Sequence, residues 1–268
     1  MSDSLNASPE QELRRLIEVV AKLRGPEGCP WDRKQSPASM IPYLLEEAYE
    51  VVETIEDGDS KALQSELGDL LLHIIMQAQM AEENHVFKLE DAIRSINEKL
   101  IRRHPHVFGD NNDEAKRVED ATTNWERVKK SEGRKSWLDG VPKNLPGLIR
   151  AHRVQQKASN VGFDWNEVTP ALEKAHEEID ELLEVWKAGD QDRSREEFGD
   201  VLFSLVNVGR LMHIDSETSM RQAIDKFDAR FRALEQVFET EHRDLESATL
   251  EEMDEVWDRI KHKVDFRK

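Results

Sequence analysis

Cysteine is almost missing from this chain. Cys29 is the only one in 268 residues, so no disulfide can form within the chain, which fits a reducing compartment. Long apolar runs are missing too: no stretch of about 18 apolar residues exists, so no membrane-spanning helix is expected. Met1 to Lys22 has no uninterrupted apolar core and no small-residue cleavage site, so a secretory signal is not expected. Aromatics make up only 6%, Gly and Pro are few (12 and 9), and no strand-like alternation stands out, which favours helices over sheets. Positive charge is in deficit, with 38 Lys and Arg against 56 Asp and Glu and a net charge of −18. That balance leaves no electrostatic footprint for duplex nucleic acid and opposes an anionic membrane. A Gly-rich Walker loop is also absent, so phosphate chemistry of the P-loop kind is unsupported. These absences describe a soluble, cytoplasmic protein of one or two domains, without nucleic-acid or membrane partners.

What the chain does contain is one pattern, twice. Glu46-Glu47-Ala48-Tyr49-Glu50 is followed by Glu66-Leu67-Gly68-Asp69-Leu70-Leu71. Glu177-Glu178-Ile179-Asp180-Glu181 is followed by Glu197-Phe198-Gly199-Asp200-Val201-Leu202. The step from 47 to 178 and the step from 66 to 197 are both 131 positions, the mark of an internal duplication. Residues three apart share a helix face, so Glu47 pairs with Glu50, Glu66 with Asp69, Glu178 with Glu181 and Glu197 with Asp200. Around Glu66 and Asp69 the helix is apolar nearly all round, with Leu67, Leu70, Leu71, Leu72, Ile74, Ile75 and Met76, and is expected to be buried. Glu66, Asp69, His73 and Gln77 form its polar stripe, as Glu197, Asp200, Ser204 and Asn207 do in the second copy.

Buried carboxylates require a counter-charge or a metal. Two helices, each with an acidic pair, can set four carboxylates around one cavity, where they raise one another's pKa values unless a cation neutralises them. All-oxygen ligation suits Mg²⁺, or Mn²⁺ in its place, and argues against zinc. Glu251-Glu252-Met253-Asp254-Glu255 matches the first half of the pattern with nothing after it, and such a lone triplet is a solvated face.

Helical spacing predicts elements over 9–24, around Glu47, around Glu66, over 89–103 and over 114–131. The second copy should run 148–160, the Glu178 helix, the Glu197 helix, 219–240 and 250–264. The connection at Asp57-Gly58-Asp59 is short enough to make the Glu47 and Glu66 helices antiparallel neighbours. Gly140, Pro142 and Pro146 mark 133–147 as a linker. The expected organisation is therefore an all-α chain of two tandem helical bundles, 1–132 and 148–268.

Basic residues recur in step with the acids. Lys99 and Arg103 precede Trp125 and Lys129, and Lys226 and Arg230 precede Trp257 and Lys261, which suits phosphate ligands. Each Trp can stack on a base or plug the core. Lys174 and Arg193 stand four residues before Glu178 and Glu197, where the first copy has Tyr43 and Ala62. Two fewer cations beside a polyanionic substrate favour the second copy as the working one.

The repeated acidic pattern, Cys29-Pro30-Trp31-Asp32, Leu138-Asp139-Gly140-Val141-Pro142 and Val161-Gly162-Phe163-Asp164-Trp165 together closely resemble the MazG family, part of the all-α nucleoside triphosphate pyrophosphatase superfamily. The resemblance spans nearly the whole chain. It implies Mg²⁺-dependent hydrolysis of NTPs or dNTPs to the monophosphate and pyrophosphate, a homodimer, and main activity in the C-terminal copy. Carried over by motif, Glu178, Glu181, Glu197 and Asp200 would hold Mg²⁺, with Glu47, Glu50, Glu66 and Asp69 their first-copy equivalents. Lys226, Arg230, Trp257 and Lys261 would contact the nucleotide, and Glu177 or Glu178 would take the proton from the attacking water. Two other readings stay open from the residues alone. One is a di-iron bundle using Glu82–His85 and Glu239–His242. The other is a non-catalytic helical module whose acids hold structural metal.

Overall fold

Caps and turn residues translate directly into elements. The computed structural model describes residues 7–108 and 135–261. The chain divides into two compact units, Met1–Ala121 and Thr122–Lys268, and every regular element among the described residues is a helix. The helix expected over 114–131, with Trp125 and Lys129, lies outside the described residues, as do residues 262–264 of the last one.

In the first unit α1 (Pro9–Arg24) opens on a capping box in which Ser8 and Gln11 satisfy each other's backbone amides. The short α2 (Pro30–Lys34) follows; Pro30 at its first position costs no hydrogen bond and presets the helical φ. Next come α3 (Ile41–Asp57), α4 (Ser60–Glu83), α5 (Leu89–Arg103) and α6 (Pro105–Phe108). The second unit holds α7 (Gly147–Ser159), α8 (Val168–Lys187), α9 (Gln191–Leu211), α10 (Ser216–Thr240) and α11 (Leu250–Lys261).

One device is used in both units to fold a helix pair back on itself. Gly58 (φ 70°) closes α3 and Gly189 (φ 73°) follows α8, each in the left-handed region that glycine enters without a Cβ penalty. The next residue caps the following helix. Asp59 accepts the amides of Lys61 and Ala62, and Asp190 accepts that of Arg193. α3 packs on α4 and α8 on α9. Glu47 lies eleven residues before Gly58 and Asp69 eleven after it, and Glu178 and Asp200 bracket Gly189 in the same way. An antiparallel pair folded at that glycine therefore brings the acids to one level.

The first unit's core joins Val20, Met40, Ile75, Met76 and Met80, with Leu13, Leu16 and Ile17 of α1 against it. In the second unit Ala171 and Ala175 pack with Val208, and Leu234, Phe238, Val256 and Ile260 tie α10 to α11. The expected all-round burial of the acid-bearing helices does not hold within either unit taken by itself, among the described residues. Leu67 (50% exposed) and Ile74 (51%) on α4, and Phe198 (55%) on α9, look outward because α1, α5, α7 and α10 cover only the other sides.

The family-like motifs also have structural work. Arg24 donates to the Asp32 and Gln35 carbonyls and grips Glu83 with Nε and Nη2, tying the Cys29–Asp32 turn to α4. Arg210 of α9 likewise clamps the Asp164 carboxylate, fixing the Gly162–Trp165 turn. Gly28 fits a place with no room for a side chain: a Cβ there would lie 2.1 Å from the Leu23 carbonyl oxygen. Gly28→Ala should thus lose about 1–3 kcal/mol, the range for overpacking. A lowered urea midpoint with unchanged slope would show it; an unchanged midpoint would refute the close approach.

Candidate metal centre

The two helix hairpins each converge carboxylates. Glu47 from α3 meets Glu66 and Asp69 from α4, with ligand-type oxygens all within 4.8 Å of one another. Glu178 from α8 meets Glu197 and Asp200 from α9 under the same limit. Three of the four acids expected per site are thus gathered in each copy. Glu50 stands one turn along α3 from Glu47, and its charge bears on the first cluster. Glu181 lies one turn along α8 from Glu178, is exposed, and stands outside the gathered group. The donor set is oxygen throughout, the chemistry that fits a hard divalent ion.

Electrostatics separates the copies. In the first, Glu47 is pushed above the ordinary glutamate pKa by burial, then by Glu50, Asp69 and Glu66, and Glu66 by burial, then by Glu50 and Asp69. Tyr43 stands one turn up, edge-on to Trp31 with ring centroids 6.0 Å apart, and contributes no charge. His73, on the polar stripe of α4, is buried; its Nε2 lies 3.9 Å from Glu47 while its Nδ1 has no hydrogen-bond partner.

In the second copy the same places carry cations. Lys174 Nζ lies 2.9 Å from Glu178 and 3.0 Å from Glu177, and these two carboxylates raise the lysine pKa. Arg193 Nη2 lies 3.2 Å from Glu197. Glu178 and Glu197 are buried and Asp200 is exposed, so the cluster opens on the Asp200 side. Sequence spacing placed Lys174 and Arg193 near the acids, but not their direct pairing with them.

The remaining candidates sit on other helices. Lys226 (exposed) and Arg230 (half-buried) lie on α10, and Trp257 and Lys261 on α11. Trp257 packs on Phe227 at 5.3 Å and against the α10–α11 core, so the packing role it was given as one alternative is met. The di-iron reading loses its ligands. His85 and His242 take left-handed φ values (55° and 52°) just past α4 and α10, where they end helices, and neither belongs to a carboxylate cluster.

An all-α chain that gathers three carboxylates in each of two hairpins is a helical protein with two sites that could hold a metal ion. Comparison with known proteins narrows the class. The family model for the MazG nucleotide pyrophosphohydrolase domain matches residues 35–108 and again 166–234, starts that are also 131 positions apart. The nucleoside triphosphate pyrophosphohydrolase/pyrophosphatase MazG of Thermotoga maritima is 43% identical over 92% of this chain and 94% of its own length. The nucleoside triphosphate pyrophosphohydrolase of Escherichia coli K12 is 40% identical over 93% of this chain and 97% of its own. The crystal structure of a mazG-related protein from Thermotoga maritima aligns at 31% identity over 44% of this chain and 98% of that one, with a TM-score of 0.38, too low to argue from. The chain belongs to the MazG family of nucleotide pyrophosphohydrolases, with two copies of the domain.

Because burial and neighbouring acids raise Glu47 and Glu66, the folded first unit holds protons that the unfolded chain releases. That contribution is present below the ordinary value of 4.5 and is lost as pH rises through the raised range. In EDTA, Glu66→Gln should therefore gain melting temperature over wild type as pH climbs from 4.5 to 7. A difference that stays flat with pH would contradict it.

Proposed function

We propose that the chain hydrolyses nucleoside triphosphates, NTPs or dNTPs, to the monophosphate and pyrophosphate, mainly in its second copy and with Mg²⁺ (Mn²⁺ as a substitute). The observation that carries this reading is the pairing of Lys174 and Arg193 with a buried carboxylate cluster, against Tyr43 and Ala62 in the first copy. The enzyme is proposed as a cytoplasmic homodimer with domains 1–132 and 148–268 joined by 133–147. Nucleic acid and membrane have no part in it.

Glu178, Glu197 and Asp200 are the proposed ligands, with Glu181 completing the set from the next turn. Bound there, Mg²⁺ supplies a Lewis acid for the phosphate oxygens and lowers the pKa of water it coordinates. The chain's own groups do the rest. Lys174 and Arg193 present positive charge where a triphosphate would lie, reversing the local sign of a chain with net charge −18. Lys226, Arg230 and Lys261 extend that charge toward the nucleotide, and Trp257 offers a ring for it. Glu177 or Glu178, which share Lys174, is the proposed acceptor of the proton. Attack at the α-phosphorus would then expel pyrophosphate.

Glu197→Gln should abolish most turnover, since it removes a ligand charge while nearly keeping shape. Glu66→Gln should leave most of it, even where stability changes. Pyrophosphate release, measured on variants checked by circular dichroism, decides. The reversed result would move the working site to the first copy, and half activity in each would make both copies enzymes.

Apolar side chains on α4 and α9 support the homodimer proposal: Leu67, Ile74 and Phe198 are each about half-exposed and would gain cover from a second copy. Ile74→Glu should shift sedimentation from dimer to monomer at micromolar concentration. A wild-type monomer, or a variant that stays dimeric through that face, would reject it.

A further inference from the structure

Lys174 and Arg193 reach the second cluster from one turn up α8 and α9. Their charged ends lie on the carboxylates themselves, 2.9 Å from Glu178 Oε1 and 3.2 Å from Glu197 Oε1. The acceptors are nearly dry, with side chains 11% and 10% exposed, while the donors reach in from solvent at 37% and 62%. We propose that these two residues are exchangeable counter-ions: they neutralise the second cluster while it is metal-free, must leave it for a divalent cation to bind, and are then redirected to the triphosphate. The proposal rests on reading the cluster as the metal site of the hydrolase, and adds an order of loading to it.

The physical argument is competition for the same lone pairs and the same negative charge. An oxygen that accepts a charge-assisted hydrogen bond from Lys or Arg is not available to a metal, and a fixed positive charge a few ångströms away opposes a second one. Both side chains have long flexible stems, so leaving the carboxylates requires rotamer changes and no backbone shift. A triphosphate offers the displaced cations better-matched acceptors than water does. Metal and nucleotide thus assist each other's binding in the second copy, and by linkage the assistance is mutual.

The first copy is the built-in control. Tyr43 and Ala62 stand where the cations would be, and Glu47, Glu66 and Asp69 converge as closely as their counterparts. The group facing them is His73, whose Nε2 lies 3.9 Å from Glu47. With Tyr43 and Ala62 at the two positions, that cluster lacks the pair of counter-ions that Lys174 and Arg193 supply, so it should fill from free metal alone. One chain would then contain two unequal sites: a first that holds metal constantly, and a second that loads it chiefly together with substrate.

The test uses the full-length protein and Mn²⁺ alone, with free Mn²⁺ read from its EPR signal during titration. Wild type should show a tight class lost in Glu66→Gln and a weak class lost in Glu197→Gln. Combining Lys174→Gln with Arg193→Gln should tighten the weak class by about fivefold or more, the effect of relieving an ion pair or two. Lys174→Arg, which keeps the charge, should not. The converse change, Tyr43→Lys, should weaken the tight class. If Glu197→Gln removes a site but the double variant binds Mn²⁺ no more tightly than wild type, the metal reading stands and the counter-ion proposal is wrong. If wild type takes up no Mn²⁺, both fall together.

Discussion

Everything in this protein turns on like charges held close together. Each helix hairpin folds at a left-handed glycine and an aspartate cap, and that fold brings three carboxylates within 4.8 Å of one another. Such a cluster needs a cation beside it or a proton held on it. The two copies meet the requirement differently. Lysine and arginine stand against the second cluster, whereas the first leaves Glu47 and Glu66 with raised pKa values. Duplication supplied two equivalent frames, and two substitutions on the faces of α3/α8 and α4/α9 made them unequal.

Much of this was legible in the residues. The 131-position displacement located both hairpins, and the domain matches at 35–108 and 166–234 repeat it. Gly58 and Asp59 carried the turn, because a glycine followed by an N-cap residue is a backbone instruction that needs no tertiary context. Helix bounds came out well for α1, which opens on a capping box, and for α5, which ends just before Pro105; α2 and α6 were not expected, because four or five residues are too few to show a period.

The rest depended on side-chain reach, which spacing does not encode. Lys174 and Arg193 were readable as neighbours of the acids but not as their partners, since a long side chain one turn away can point to solvent as easily as inward. Arg210 reaches 46 residues back to Asp164, a contact no local pattern announces. The apolar helices were expected to be buried on every side. In one chain they are not, because periodicity reports that a face wants cover and not what covers it.

Attack by water at the α-phosphorus of a nucleoside triphosphate is the step this carboxylate frame is proposed to direct. Hydrolysis in ¹⁸O-labelled water with Mg²⁺, followed by mass spectrometry of the products, reads it out. The products should be monophosphate and pyrophosphate, with the label in the monophosphate. Label in the pyrophosphate, or diphosphate and inorganic phosphate as products, would overturn it.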